Sequence, residues 1–198
     1  FMNIKKGDLV PGQHVSVDQY ESRILGRLAH TKGKEKSSTQ LKGGTLFVDH
    51  ASGKMFIRHQ ATLGASDTVQ AKRAFERDSA TCGVTIQNYR GDNGVFKSEE
   101  FLKELEVRAQ SIKFSGVGAH HQNGVAERAI RTVVESARTM MLHVAIHWPE
   151  QSDLCLWPFA LSYAVFLYNH MPARDSGWAP IEIFCGAKLD PRILRNAR

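Results

Sequence analysis

Short strand-like segments and longer helix-like segments alternate along this chain. In the strand-like segments apolar and polar residues alternate, and in the helix-like segments apolar residues recur every three or four positions. The order is strand, hairpin, helix, strand, helix, strand, helix, helix. It predicts an α/β fold in which a five-stranded mixed sheet is flanked by helices. The predicted strands cover about residues 13–20, 45–49, 55–59, 84–89 and 112–115, and the predicted helices cover about 66–82, 98–105, 123–144 and 154–169.

Residues 21–44 form a polar stretch that predicts an exposed loop. Between residues 22 and 43 it carries six basic residues against one acidic residue. The whole chain has a net charge of +6 and a pI near 9.3, which favours a polyanionic partner such as nucleic acid. A solvated segment can have the same composition, so the loop alone leaves nucleic-acid binding open.

The cysteines and the apolar runs exclude several classes of protein. Cys82, Cys155 and Cys185 are odd in number and widely spaced, and they form no CxxC or zinc-binding pattern. We therefore expect free or buried thiols in a reducing compartment and no disulfide framework. No stretch approaches 18 consecutive apolar residues, so the sequence predicts no association with a membrane.

Three acidic residues are the candidates for chemistry. Asp18 lies in the first predicted strand, Asp92 opens a GDNG turn after a later strand, and Glu127 lies near the start of the long helix. Any one of them alone would more often be a solvated side chain or a turn former. Together, two carboxylates at strand ends and a third on a helix can hold hard divalent cations, which promote in-line attack on phosphodiesters.

The strings YRGDNGVF, HHQNGVAERAIRT and SYAVFLYNHMPAR resemble the catalytic core of copia-type retroelement integrases. The resemblance extends from about Gly7 to Gly186. It implies an RNase H-like fold with a catalytic triad, which falls on Asp18, Asp92 and Glu127 here. The three residues would be the metal ligands for Mg²⁺, with Mn²⁺ as a possible substitute. The family's second strand matches Phe47-Val48-Asp49-His50, where the acidic residue is not a ligand, so we expect Asp49 to be structural.

The resemblance also implies a reaction and its partners. Integrases of this family process the 3′ ends of element DNA and join them to target DNA by two-metal transesterification. The partners would be DNA and further copies of the chain, and the site of action would be the nucleus. A linker (1–12), a catalytic core (13–172) and a C-terminal extension (173–198) are expected. The candidate DNA contacts are Arg128, Arg131, Gln122, Asn123, Lys32, Lys34 and Lys36.

Two alternatives to an active integrase remain open. An RNase H-type hydrolase of RNA–DNA hybrids would share the fold and the metal ligands, although the QNGVAER string favours an integrase. An inactive or domesticated copy would only bind DNA or sister subunits. Four departures from the family pattern favour the inactive copy. The segment between Asp92 and Glu127 has 34 residues where the family has 35, and the family's frequent prolines are absent from the loop VGAHHQNG. Ile130 replaces a common Asn, and the stretch 21–44 is about ten residues longer than is typical.

Overall fold

The computed structural model describes residues 9–27, 40–115 and 123–190. Within these ranges no helix is long and apolar enough to cross a membrane. The strands of the described chain are β1 (Val15–Gly26), β2 (Leu41–Asp49), β3 (Met55–Gln60), β4 (Asn88–Gly91) and β5 (Ser111–Phe114), and its α-helices are α1 (Ala65–Thr81), α2 (Glu99–Val107), α3 (Gly124–His147), α4 (Trp157–His170) and α5 (Pro180–Cys185).

The five strands form one mixed sheet in the order β3-β2-β1-β4-β5. The first three strands are an antiparallel meander, while β4 and β5 run parallel to β1. The parallel connections require crossovers, and α1 and α2 supply them. The predicted α/β fold with a five-stranded mixed sheet is therefore confirmed, and β1 lies at its centre.

One face of the sheet is covered by α1 and α2. Val17 of β1 lies opposite Phe47 of β2, and both side chains are wholly buried. They pack with Phe75 of α1 and Phe101 of α2 in one apolar cluster, in which the rings of Phe47 and Phe75 stack at 4.7 Å. Burial of each such ring contributes about 2 kcal/mol, so this cluster anchors both helices to the sheet.

The opposite face is covered by α3 and α4. Leu46 and Val48 of β2 pack there against Ala129 and Val133 of α3 and against α4. Because side chains alternate along a strand, the residues of β1 paired with Leu46 and Val48 point to the same side. Helix α3 therefore lies across the face of the sheet that carries those positions of β1.

The exposed loop predicted for residues 21–44 is wrong at both ends. Strand β1 continues to Gly26 and β2 starts at Leu41, with Glu21 paired to Gly43 and an irregularity before Gly26. A Cβ atom at Gly43 would collide with the carbonyl oxygen of Tyr20, so the pairing needs a glycine there. The exposed side chains of Glu21 and Arg23 made this segment resemble a loop.

Two other predicted boundaries differ from the structure. Val84–Gln87 lies outside β4, which is only four residues long, although the N–H of Gln87 donates to the carbonyl of Gly12 and its carbonyl accepts from the N–H of Ser111. Helix α1 begins after Gly64, so Ser66 and Asp67, either of which the sequence predicts as its cap, lie inside it, and Asp67 accepts hydrogen bonds from the backbone N–H and hydroxyl of Thr62. The sequence also predicts Ser98 as the start of α2, and this is confirmed, because its side chain accepts from the backbone N–H of Phe101 at 3.4 Å.

The expectation of unpaired cysteines is wrong for two of the three residues. Cys82, just after α1, forms a disulfide with Cys185 at the end of α5, with 4.7 Å between their Cα atoms. Cys155 is free. The two partners are 103 residues apart and meet only because α5 folds back towards the end of α1, which no local pattern indicates.

Candidate active site

Asp18 lies on the central strand and faces α3. It is paired with Leu46, and Ser16 is paired with Val48. Directly opposed residues share a face of the sheet, so Asp18 points to the side covered by α3 and α4. Its side chain is half-buried, and Oδ1 accepts a hydrogen bond from the backbone N–H of Gln19 at 2.8 Å.

Asp92 lies beside Asp18 on the neighbouring parallel strand. Ser16 is level with Arg90, so two residues further on Asp18 is level with Asp92, the first residue after β4. Adjacent strands are about 4.8 Å apart, which brings the two side chains close together. Asp92 is exposed, and its Oδ1 accepts from the backbone N–H of Gly94 at 3.1 Å, which closes the turn.

Glu127 is exposed and lies in the first turn of α3, on the side of the sheet that Asp18 faces. The residue that precedes the helix, Asn123, is only 3% exposed. Its Nδ2 donates to the carbonyl oxygen of Val17 at 3.3 Å. The start of α3 is therefore bonded to β1 directly before Asp18, and Glu127 follows one helical turn later.

The three carboxylates influence one another. Burial, followed by the negative charges of Asp92 and Glu127, raises the pKa of Asp18 to about 6, although the hydrogen bond from Gln19 acts in the opposite direction. The structure thus brings the three predicted residues within electrostatic reach. Such mutual repulsion is what a bound divalent cation would relieve.

The donor set suits Mg²⁺ or Mn²⁺, because carboxylate oxygens are hard ligands and three of them leave positions for water and substrate. The spacing of the three carboxylates is less favourable. Among the residues that the structure describes, no three His, Cys, Asp or Glu side chains are gathered closely enough to form a metal site. The chemistry of the ligands fits a cation, while the site is more open than a closed coordination shell.

Three arginines follow Glu127 along α3. Arg128, Arg131 and Arg138 are exposed, and none takes part in an ion pair within the described part of the chain. At 100° per residue, Arg131 and Arg138 fall on the same side of the helix as Glu127, whereas Arg128 is turned away. Arg128 instead lines a hollow of about 430 Å³ with His50, Thr132 and Tyr168.

The other predicted site residues have different outcomes. Asn123, predicted to contact DNA, is instead buried and bonded within the fold. Asp49 is structural as expected: it is wholly buried, and its carboxylate accepts from the backbone N–H groups of Gly12 and Ser52, each at 2.8 Å, and from the Ser52 hydroxyl at 2.7 Å. Gln122, Lys32, Lys34 and Lys36 lie outside the described residues.

A groove of about 790 Å³ next to the carboxylates was not predicted. It runs between the distal half of β1 and α3, and Ile130, Val134 and Trp157 contribute to its apolar lining. Ile130, the position where an Asn is common in the family, belongs to this surface and also packs on the core. The groove was missed because the second half of β1 had been interpreted as a loop.

Several solved structures share the fold of this chain. The catalytic core domain of HTLV-2 integrase, in complex with magnesium in a dimeric form, superposes with a TM-score of 0.61 and 17% identity, covering 89% of this chain and 98% of that one. The fold is that of a retroviral integrase catalytic core. The BIV integrase core gives a TM-score of 0.60 at 16% identity, covering 88% of this chain and 95% of that one.

A third integrase structure agrees. A chain of the simian T-cell lymphotropic virus intasome, in complex with the PP2A regulatory subunit B56 gamma, gives a TM-score of 0.66 at 17% identity. The match covers 92% of this chain and 58% of that one. No protein-family model matches the sequence. At these identities the likeness establishes the integrase-core fold and leaves activity to be argued from the site.

Proposed function

We propose that the protein is the catalytic core of a copia-type retroelement integrase, a polynucleotidyl transferase that processes element DNA ends and joins them to target DNA. The observation that carries this proposal is the mutual influence of Asp18, Asp92 and Glu127 within an integrase-core fold. In this fold Asp18 lies within β1, Asp92 directly follows the neighbouring parallel strand β4, and Glu127 lies on the helix that covers the face to which Asp18 points.

Each carboxylate has a distinct position and hence a distinct role. Asp18 is fixed within a central strand between the other two, so it would be the shared ligand, with Asp92 and Glu127 each holding one cation. The bound cations would neutralise the phosphodiester charge and lower the pKa of the attacking water or 3′-hydroxyl. HTLV-2 integrase, which has this fold, was solved with magnesium.

The exposed side of α3 supplies a path for DNA. Arg131 and Arg138 continue the line that starts at Glu127, and at about 1.5 Å per residue Arg138 lies about 16 Å along the helix from Glu127. Unpaired arginines at this spacing can contact successive phosphates of a strand whose end lies at the carboxylates. Arg128 would contact a different part of the DNA, because it lines the separate hollow.

The distal half of α3 and the start of α4 supply a surface for further copies of the chain. Leu142, Ile146 and Trp148 are 62%, 73% and 51% exposed, and Phe159 is 54% exposed. Apolar side chains concentrated at one end of a protein often mark an interface. The HTLV-2 integrase core occurs in dimeric and trimeric forms, which supports the proposal of a homo-oligomer.

A strand-transfer assay tests the proposal. The wild-type protein should join an oligonucleotide that mimics an element end to plasmid DNA in Mg²⁺ or Mn²⁺, and Asp92→Asn should lower the rate at least ~100-fold. Asp175→Asn, at an exposed acidic residue after α4, is the matched control and should leave the rate unchanged. Equal joining by wild type and Asp92→Asn contradicts the assignment, as does hydrolysis of RNA–DNA hybrids without joining.

A DNA-binding protein without catalysis is the second candidate. It is favoured by one observation: the described residues contain no closed three-ligand cluster. Calorimetric titration with Mn²⁺ separates the two functions. A functional triad should bind the cation in the wild type and lose binding in Asp18→Asn, whereas an inactive copy should bind DNA but no Mn²⁺.

A further inference from the structure

Asp92 and Glu127 each have an asparagine close by in the sequence that is not one of the proposed cation ligands. Asn93 directly follows Asp92 in the GDNG turn, and Asn123 precedes Glu127 by four residues. Both side chains donate to backbone carbonyl groups of other elements. These two hydrogen bonds connect the segments that carry the carboxylates to the sheet.

The Asn93 bond holds the turn that carries Asp92. Its Nδ2 donates to the carbonyl oxygen of Ser115 at 3.0 Å, directly after β5. The backbone N–H of Ser115 in turn donates to the carbonyl oxygen of Gly91 at 3.0 Å. The residues on either side of Asp92 are thus both bonded to Ser115, so the carboxylate sits in a turn that is fixed at two points.

The Asn123 bond connects the other two carboxylates. Its acceptor, the carbonyl oxygen of Val17, belongs to the peptide unit that joins Val17 to Asp18. The shortest path from Asp18 to Glu127 therefore consists of one peptide unit, one hydrogen bond and one helical turn. Breaking this hydrogen bond would free the start of α3 from the strand that carries Asp18.

Stability alone does not explain the buried position of Asn123. The side chain is 3% exposed, yet its Oδ1 has no hydrogen-bond partner among the residues that the structure describes. A buried polar atom without a partner costs about 1–3 kcal/mol, which offsets the gain from the single bond to Val17. An apolar residue of similar size would fill the space without that cost, so the amide is better explained by what it positions.

We propose that Asn93 and Asn123 are positioning residues that keep Asp92 and Glu127 near enough to Asp18 for a bound cation to draw the three carboxylates together. This inference rests on the proposed function. The three carboxylates repel one another, so without the two hydrogen bonds the turn and the start of α3 would move away from Asp18. Residues that orient metal ligands typically change metal affinity by about 10- to 100-fold when they are replaced.

The test compares Mn²⁺ affinity with thermal stability in Asn93→Ala and Asn123→Leu. Each variant should lose about tenfold or more in Mn²⁺ affinity while its melting temperature, measured in chelator, stays close to that of the wild type. Excess Mn²⁺ should restore strand transfer, because the ligands themselves are intact. Wild-type affinity in both variants would overturn the proposal.

Asn169 provides the matched control. It is also a buried asparagine, and it is hydrogen-bonded to both the N–H and the carbonyl of Met55, at 2.9 and 2.7 Å. Met55 lies on β3, the edge strand farthest from β4. Asn169→Ala should lower the melting temperature and leave the Mn²⁺ affinity of the folded protein unchanged. Equal losses of affinity in Asn169→Ala and Asn123→Leu would show a general effect of destabilisation and overturn the positioning role.

A crystal structure of Asn123→Leu distinguishes failure of this inference from failure of the proposed function. If the wild type binds no Mn²⁺, the proposed function fails. The positioning role is then decided by geometry: a shift of the first turn of α3 away from Val17 supports it, and an unmoved first turn overturns it.

Discussion

Burial and the neighbouring charge of Asp92 together raise the pKa of Asp18 to about 6. The two residues are level on adjacent parallel strands, and Glu127 adds a weaker contribution of the same sign. A carboxylate with this pKa is mostly ionised at neutral pH, but its ionisation works against folding. In the absence of a cation, the site therefore reduces the stability of the protein that carries it.

Asp18→Asn should stabilise the cation-free protein at pH 8. The folded-state pKa of Asp18 lies above its ordinary value, so the penalty of ionisation appears as the pH rises from about 4 through 6 and is complete above it. A shift of about two units corresponds to at most ~3 kcal/mol, and partial exposure reduces this to about 1 kcal/mol. Urea unfolding in the presence of a chelator, at pH 4 and at pH 8, measures the free energy of unfolding of both proteins. If Asp18→Asn differed from the wild type by the same amount at both pH values, the explanation would be contradicted.

Mn²⁺ should raise the melting temperature of the wild type and have little effect on Asp18→Asn. A ligand at 100 times its dissociation constant stabilises the folded state by about 2.7 kcal/mol. Asp49→Asn is the informative comparison, because Asp49 is an equally central acid that binds three donors of the fold. It should lower the baseline stability by about 2 kcal/mol and keep the response to Mn²⁺.

Glu76→Gln should destabilise the protein by about 3 kcal/mol. Oε1 of Glu76 accepts from the hydroxyl of Tyr89 at 2.8 Å and from Nε2 of Gln110 at 2.7 Å. It also lies 2.8 Å from Nζ of the wholly buried Lys72, as an ion pair without the angle of a hydrogen bond. Burial lowers the pKa of Lys72, and loss of the anion would leave that charge unpaired.

The control for Glu76→Gln is Glu99→Gln, measured by the same urea unfolding. Glu99 pairs with Lys103 at 3.8 Å, and both side chains are more than two-thirds exposed. An exposed pair of this kind contributes little, so the variant should remain within about 0.5 kcal/mol of the wild type. Similar losses in the two glutamate variants would show that the buried network around Lys72 has no special importance.

Thiol titration in guanidinium should find one reactive cysteine before reduction and three after it. The disulfide occupies Cys82 and Cys185, and Cys155 is free. Reduction should also lower the free energy of unfolding by about 2–4 kcal/mol, since the bond closes a long loop. Cys155→Ser should show no free thiol before reduction. Three reactive thiols in the unreduced wild type would contradict the pairing.

The sequence predicted those parts of the fold in which local pattern and tertiary environment agree. Helix α2 has its Ser98 cap and its apolar face in nine residues, and the β2–β3 hairpin alternates as expected. The triad was located through motifs, and the structure brings Asp18, Asp92 and Glu127 within electrostatic reach. In each case the prediction depends only on short stretches of sequence.

The remaining features depend on partners far away in the sequence. Glu21 and Arg23 are polar and exposed, yet they are strand residues because β2 pairs with β1 on either side of Arg23, at Glu21 and at Gly26. Val84–Gln87 has strand-like composition but is not part of a strand, and of its residues Gln87 bonds to the backbone of Gly12 and Ser111. Asn123 looked like a surface residue of a motif and is buried because Val17 lies beside it. Composition does not reveal any of these pairings.

The bond between Cys82 and Cys185 turns most of the chain into a covalent ring. Asp92 and Glu127 are members of that ring, while Asp18 lies on the free arm that precedes it. A single proteolytic cut inside the ring would leave its two pieces attached, so Asp92 and Glu127 would not be separated until a reductant was added. A cut between the end of β1 and Cys82 would release the strand that carries Asp18 from covalent attachment at once.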